Sequence, residues 1–546
     1  MKTFQLSGNL VDIFQQEIYP ATIYVENGYI RNIERNNNSY SQYLLPGFTD
    51  AHVHIESSML IPSEFARMAV VHGTIATVSD PHEIANVMGV KGVEYMLENG
   101  RQVPFRFNFG APSCVPATIF ETAGATVDVA DIEALLQRED IRYLTEMMNF
   151  PGVLHKDPEV LAKIAAAQKA GKPVDGHAPG LRGEAAREYI EAGISTDHEC
   201  FTIEEAKDKL QYGMHILIRE GSAAKNFEAL YPLLYDHAAS IMFCSDDKHP
   251  DSLEEGHINL LVKRALAYGV PLFNVLCAAC INPVLHYKLD NGLLRVNDPA
   301  DFIVINDLQN FDILATYIAG EKVAENGHTL IASTPSVPVN NFTADKINPD
   351  NLRIPAPDSN AGTITVKAIE ALDGQLITNA ITTALPVANG LIQNSTEKDI
   401  LKLVVVNRYR KAPPALAFIH GFGLQQGAIA SSVAHDSHNI IAVGTSDESL
   451  VAAINAVIAE QGGISVANEN NVYTLPLPVA GLMSNLDGYT IATQYSTLDK
   501  AAKKLGSPLA APFMTLSFMA LLVIPHLKLS DLGLFDGDKF EFTAGC

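Results

Sequence analysis

Short apolar runs broken by single polar residues open the chain. Residues 1–44 contain FQLSGNLVDIF and then ATIYVENGYIRNIE, an alternation that suits half-buried strands. Asn27-Gly28 stands between the apolar stretches 23–25 and 30–33. Both turn positions of a two-residue hairpin need positive φ, which Asn and Gly adopt cheaply, so the pair predicts a tight hairpin in a small β element.

From about residue 45 to 290 the pattern changes to short β-like runs separated by helical stretches. Eight strands are expected, at 47–55, 74–80, 105–110, 141–147, 173–177, 194–198, 214–220 and 240–246. Helices are expected between them, such as 158–170, stopped by Gly171, and 184–192, stopped by Gly193. Eight strand–helix units favour a closed (β/α)8, TIM-like barrel over an open sheet.

Residues 291–335 return to the opening style, with NGLLRVNDPADFIVIN and TYIAGEKVAENG. They are expected to join residues 1–45 in a small β-sandwich domain flanking a barrel of 46–290. Residues 336–358, rich in Pro, Asn and Asp, read as a linker, and 359–546 as a C-terminal α/β domain. In that last unit NIIAVGT (439–445) predicts a strand, and Ser446 caps a helix. Leu450, Ala453, Ile454, Val457 and Ile458 fall on one face of that helix, and Gly462-Gly463 ends it.

Composition narrows the function classes. The 546 residues are 47% hydrophobic and 18% charged, ordinary for a soluble globular protein. A net charge of −24 argues against nucleic acid and anionic membranes as partners. No window of about 18 apolar residues predicts a membrane span. The apolar stretch 513–529 is interrupted by Ser517, Pro525, His526 and Lys528 and reads as buried core. The N-terminus turns polar too early for a signal peptide. Cys114, Cys200, Cys244, Cys277, Cys280 and Cys546 are too scattered for a disulfide scaffold, so a cytoplasmic setting is expected.

The sharpest chemical feature is His52-Val53-His54 at the end of the first barrel strand. Residues i and i+2 of a strand share a face, so both imidazoles can meet one cation. Barrel enzymes gather their chemistry at the C-terminal ends of the strands. Four other strands also end on ligand types: Glu146, His177, His198 and Asp246. Four imidazoles and two carboxylates suffice for two cations, with one carboxylate bridging. Asp246 is preferred to Asp247 because it follows the strand IMFCS and strand neighbours face opposite ways.

Several runs now carry a resemblance. LPGFTDAHVHIESSML (45–60), SDPHEIANVMG (79–89), EMMNFPGVL (146–154), DGHAPGLRG (175–183), GISTDHE (193–199) and FCSDDKHP (243–250) closely resemble the adenine deaminase family of the amidohydrolase superfamily. HDSHNIIAVGTSD (435–447) and LPLPVAGLMS (475–484) resemble that family's C-terminal domain, so the likeness spans nearly the whole chain. Glu146 stands where many amidohydrolases carry a carboxylated lysine.

The resemblance implies hydrolysis of adenine to hypoxanthine and ammonia by a hydroxide between two divalent cations: manganese first, then iron, then zinc. His52 and His54 would hold one cation and His177 and His198 the other. Glu146 would bridge them, and Asp246 would ligate the first and move the proton. Glu83 is the candidate acid for ring nitrogen N1, with Glu199 its rival. Asp80 and His82 would shape the purine pocket or a further metal site, or equally support the ligands from behind. His435 and His438 either reach over the barrel mouth or serve local capping and turn roles. A purine base would be the partner, with a homodimer as the default assembly. An amidohydrolase acting on N6-substituted adenine is the alternative within the class. A non-catalytic purine-binding barrel would lack ligands that this chain has.

Two motifs are set aside. Cys277-Ala-Ala-Cys280 lies in the apolar run LFNVLCAACI, and Leu276 rather than proline precedes it, unlike the zinc nucleobase deaminases. It reads as a core helix. GFGLQQG (421–427) lacks the dinucleotide-loop spacing and reads as a turn.

Overall fold

A computed structural model describes residues 3–545; Cys546 lies outside them. The two flanks of the barrel hydrogen-bond as one eight-stranded sheet. Thr3–Asp12 runs antiparallel to Glu17–Glu26, which turns through Asn27 and Gly28, at φ of 55° and 84°, into Tyr29–Arg35. Tyr43–Pro46 pairs with Thr3–Asp12 on one side and with Phe302–Ile305 on the other. That second ladder brings the return segment back to the N-terminal strands. Leu10, Ile23, Val25, Phe302 and Tyr317 form the apolar cluster they share.

Eight parallel strands follow: Phe48–Val53, Thr74–Ser79, Arg106–Ala111, Ile141–Met147, Val174–Gly176, Thr196–Asp197, His215–Arg219 and Ile241–Cys244. The first five form one ladder and the last three another, each in chain order. Ser195 N donates to Val174 O at 2.9 Å across one join, and Asp246 N donates to His52 O at 2.9 Å across the other. The sheet therefore closes on itself. Buried Asp50 pins the second join, accepting from Ser245 N at 3.0 Å and meeting His257 Nε2 at 2.7 Å. The helices 158–170 and 184–192 expected from sequence appear as Pro158–Lys169 and Gly183–Glu191.

The C-terminal region is built on a nine-stranded, mainly antiparallel sheet; the parallel pair in it is Thr363–Ala371 with Ala415–His420. Helix Asp447–Ala459 packs on this sheet, with Ser446 Oγ accepting from Ser449 N at 3.2 Å and the expected apolar face buried. GFGLQQG is a loop between two strands, with positive φ at Gly421, Gly423 and Gly427. The CxxC run lies in a helical stretch with Cys280 fully buried, and the five described cysteines are free. No helix among the described residues is long and apolar enough to cross a membrane.

This region packs over the barrel mouth. Phe513, Met514 and Phe518 belong to the same apolar core as the barrel strands. Gly488 N donates to Glu64 Oε2 at 3.0 Å, Arg67 Nη1 meets Asp487 Oδ2 at 2.6 Å, and Ser484 N donates to Met59 O at 2.8 Å. His249 Nδ1 meets Tyr495 Oη at 2.5 Å within this interface. Burial, with a smaller contribution from His435, pushes the His249 imidazole down to about 3. A group whose folded pKa is depressed gives stability that is present above its unfolded value, about 6.5, and is lost as pH falls below it. His249→Asn, which keeps a nitrogen near Nδ1 but cannot titrate, should lose less of its urea midpoint between pH 7 and pH 5 than the unaltered protein. Parallel losses in the two proteins would show that His249 does not drive the acid sensitivity.

Candidate metal centre

Five strand ends bring the predicted ligands together. His52 lies in the first strand and His54 just past it, so both project to the same side. Their Nε2 atoms are 3.2 Å apart, and they stand 3.5 and 3.1 Å from Asp246 Oδ1. Two imidazole lone pairs at that separation repel unless a proton or cation lies between them. Glu146, on the fourth strand, presents a different oxygen to each side. Its Oε1 is 3.3 Å from His54 Nε2, and its Oε2 is 2.8 Å from His177 Nδ1 and 3.3 Å from His198 Nε2. All six groups are buried, and among the described residues His52 Nδ1 and His177 Nε2 have no hydrogen-bond partner. His52, His54 and Asp246 lie close enough to share one ion; so do His52, Glu146 and His198, and His177, His198 and Glu199. Buried imidazole and carboxylate donors of this kind fit divalent cations.

Asp246 and Asp247 correct one sequence argument. The eighth strand ends at Cys244, and Asp246 has a left-handed φ of 54°, so strand alternation does not govern this pair. Both residues line the central cavity. Asp247 Oδ1 receives Ser57 Oγ at 2.5 Å, whereas Asp246 Oδ1 faces the two histidines. Asp246 Oδ2 is held by Arg219 Nη1 at 2.6 Å. Burial opposes ionisation of Asp246, but Arg219 and the histidines outweigh it and keep the carboxyl well below the usual range. Glu199 is gripped by the same guanidinium through both oxygens. Against the cost of burial, Arg219 and His177 hold it well below the usual range too. These surroundings favour its ionised form.

Glu83 has the opposite surroundings. Burial raises its carboxyl; His435 opposes that shift and the Asp247 charge adds to it. His82 lines the cavity with its ring edge-on to His54, 4.7 Å between centroids, and its Nδ1 is 3.2 Å from Asp80 Oδ2. Asp80 is fully buried against His82 and positions it. The C-terminal region contributes His435, Asp436, Leu376, Phe518 and Leu521 to the cavity wall. His435 thus reaches the mouth, whereas His438 Nδ1 accepts from Ala434 N at 3.2 Å within its own turn.

Arg219, Ser57 and Asp436 were not singled out from sequence. Arg219 sits one residue inside the expected strand end, where an inward-facing arginine had to have an acidic partner. Ser57 and Asp436 carry no such local signal.

A model of the amidohydrolase family matches residues 43–323, and a model of the adenine deaminase C-terminal domain matches 375–541. Full-length relatives described as adenine deaminases come from Salinibacter ruber and Sulfurovum sp. Both are 55% identical over 99% of this chain, covering 98% and 99% of their own lengths. One from Methanosarcina barkeri is 52% identical over 100% of this chain and 99% of its own. The chain belongs to the adenine deaminase family.

Among solved structures, a beta-aspartyl dipeptidase from Fervidobacterium islandicum aligns at a TM-score of 0.46 and 16% identity, covering 59% of this chain and 96% of that one. In this adenine deaminase family member, the cavity residues 376, 435, 436, 518 and 521 all fall within the matched C-terminal domain. The barrel match covers the six clustered groups. Arg219, held against two of the buried acids, supports the cluster from outside. Partners of this kind change metal affinity by about 10–100-fold when removed. Arg219→Lys, which cannot fork between two acids, should lose a loaded divalent metal to a chelator at correspondingly lower concentration, read by metal content after dialysis. Unchanged retention would show that Arg219 is dispensable to the cluster.

Proposed function

We propose that the chain hydrolyses adenine to hypoxanthine and ammonia at this cluster, with His52, His54 and Asp246 holding one divalent cation, His177 and His198 a second, and Glu146 spanning the two. The observation that carries this reading is the Glu146 carboxylate, whose two oxygens face two separate sets of imidazoles. The full-length relatives' shared description supports adenine as the substrate. Manganese is favoured over iron, and iron over zinc. Two such cations, when bound, would supply a water acidic enough to attack at neutral pH.

The chain's own groups divide the proton work. Asp246, ionised and facing the histidines, accepts one proton of the attacking water and returns it to the departing amine, while the water's second proton restores the one that Glu83 gives to the ring. Glu83 donates to ring nitrogen N1, which makes C6 electrophilic. Its protonation is supported by Ser57 Oγ, which lies 2.8 Å from Glu83 Oε1 and 2.5 Å from Asp247 Oδ1. One hydroxyl proton serves only one of those oxygens, so the other carboxyl must bring its own. Met148, Leu376, Phe518 and Leu521 give the cavity apolar walls that exclude water and suit a planar ring.

The test is ammonia release from adenine and from an N6-substituted adenine, by protein reconstituted with manganese, beside Glu146→Gln and Asp246→Asn. Adenine should turn over, metal should rise to two equivalents per chain, and each variant should lose at least about 10²-fold in kcat. Full turnover in both variants overturns the mechanism. Turnover of the N6-substituted base alone overturns the substrate assignment.

A further inference from the structure

One side chain of the C-terminal domain is placed to do more than close the cavity. The two ring nitrogens of His435 face two different barrel carboxyls: Nδ1 is 3.4 Å from Glu83 Oε1, and Nε2 is 3.9 Å from Asp247 Oδ1. Ser57 Oγ joins the same two carboxyls on another side. Four side chains therefore close a ring: Ser57 from beyond the first strand, Glu83 from beyond the second, Asp247 from beyond the eighth, and His435 from the other domain. The His435 ring is wedged between Phe518, at 5.3 Å between centroids, and His438, at 5.5 Å. All four members of the ring are buried or nearly so.

The ring treats the two oxygens of Glu83 differently. Oε1 is hydrogen-bonded by Ser57 Oγ at 2.8 Å and approached by His435 Nδ1 at 3.4 Å, whereas Oε2 has no partner among the described residues. A carboxyl held at one oxygen only by a rotating hydroxyl can swing about its last side-chain bond; a second anchor from a rigid ring removes that freedom. Orientation of this kind is worth a large part of the rate when the group must meet one substrate atom.

We propose that His435 is a positioning residue that fixes Glu83, so that the C-terminal domain completes the acid half of the site rather than merely covering it. The proposal rests on the adenine reading above. It also explains why the domain matched as the adenine deaminase C-terminal domain sits over the mouth: without it Glu83 keeps only the Ser57 anchor.

Three substitutions separate positioning from bulk structure. Asn at 435 places an amide nitrogen near Nδ1, facing Glu83; Gln places one near Nε2, facing Asp247; Ala removes both. In manganese-loaded protein, His435→Ala should lower kcat on adenine by about 10²-fold with KM little changed. His435→Asn should recover most of that loss, and His435→Gln should not. Metal content should stay at two equivalents per chain in all three. Full turnover in the Ala variant, or equal turnover in the Asn and Gln variants, overturns the proposal. If the Ala variant does not fold, the Asn and Gln comparison decides. Glu83, His435 and His438 also lie close enough to hold an ion. A third equivalent of metal, present in the unaltered protein and lost with His435, would make these atoms ligands and overturn the proposal in another way. An unaltered protein with no turnover of adenine sinks the parent reading; an active one with indifferent variants sinks this one alone.

Discussion

The arrangement of this molecule follows from the cost of one carboxylate. Glu146 is buried among three imidazoles, and an isolated ionised carboxylate in such a place would cost many kcal/mol. It is tolerable only with positive charge on both of its oxygens. Protons on the histidines give some of that charge, but they set like charges against each other where His52 and His54 meet. Divalent cations held between the carboxylates and imidazoles would remove both costs at once. The strand ends must then be held to a fraction of an ångström, which is why the barrel is stitched beneath the site by Asp50, Ser245 and His257.

The same electrostatic logic organises the surroundings. Several buried acids near the cluster have a cationic or imidazole counterpart: Arg219 for both Asp246 and Glu199, His82 for Asp80, Lys209 for Asp197. The C-terminal domain adds its own pairings across the seam, with Asp436 Oδ1 3.5 Å from His82 Nε2 and His435 beside Glu83. Removing one member of such a pair would leave the other buried without its counterpart, so the seam is sensitive to single substitutions on either side.

Much of this was legible in the sequence, for reasons that differ between elements. The Asn27-Gly28 hairpin and the Ser446 cap are set by residues a few positions apart, so local chemistry reveals them. All eight barrel strands are legible because parallel strands are buried on both faces and read as apolar runs. The six clustered groups are legible because strand ends share one mouth. Asp246 followed another rule than the one applied to it: its left-handed backbone lies beyond the strand, and no pattern in FCSDDKHP announces that turn. Ser57 meets Asp247, 190 positions away, and His82 meets Asp436 in another domain. Contacts of that range exist only once the fold has formed.

Two glutamates finally show why residue type alone could not divide the chemistry. Glu83 and Glu199 are both buried beside histidines at the same mouth, and either could be drawn as the acid. Arg219 decides between them. Its guanidinium reaches both oxygens of Glu199 and fixes the charge there, while no arginine or lysine is bonded to Glu83 among the described residues. Burial then works unopposed by a permanent cation on Glu83 and raises its carboxyl, but is overwhelmed on Glu199. Burial therefore favours the proton on Glu83, the proposed acid, whose neighbours are a hydroxyl, an imidazole and another carboxyl. The proposed acid and its rival thus differ by an arginine on the seventh strand that is bonded to Glu199 and not to Glu83.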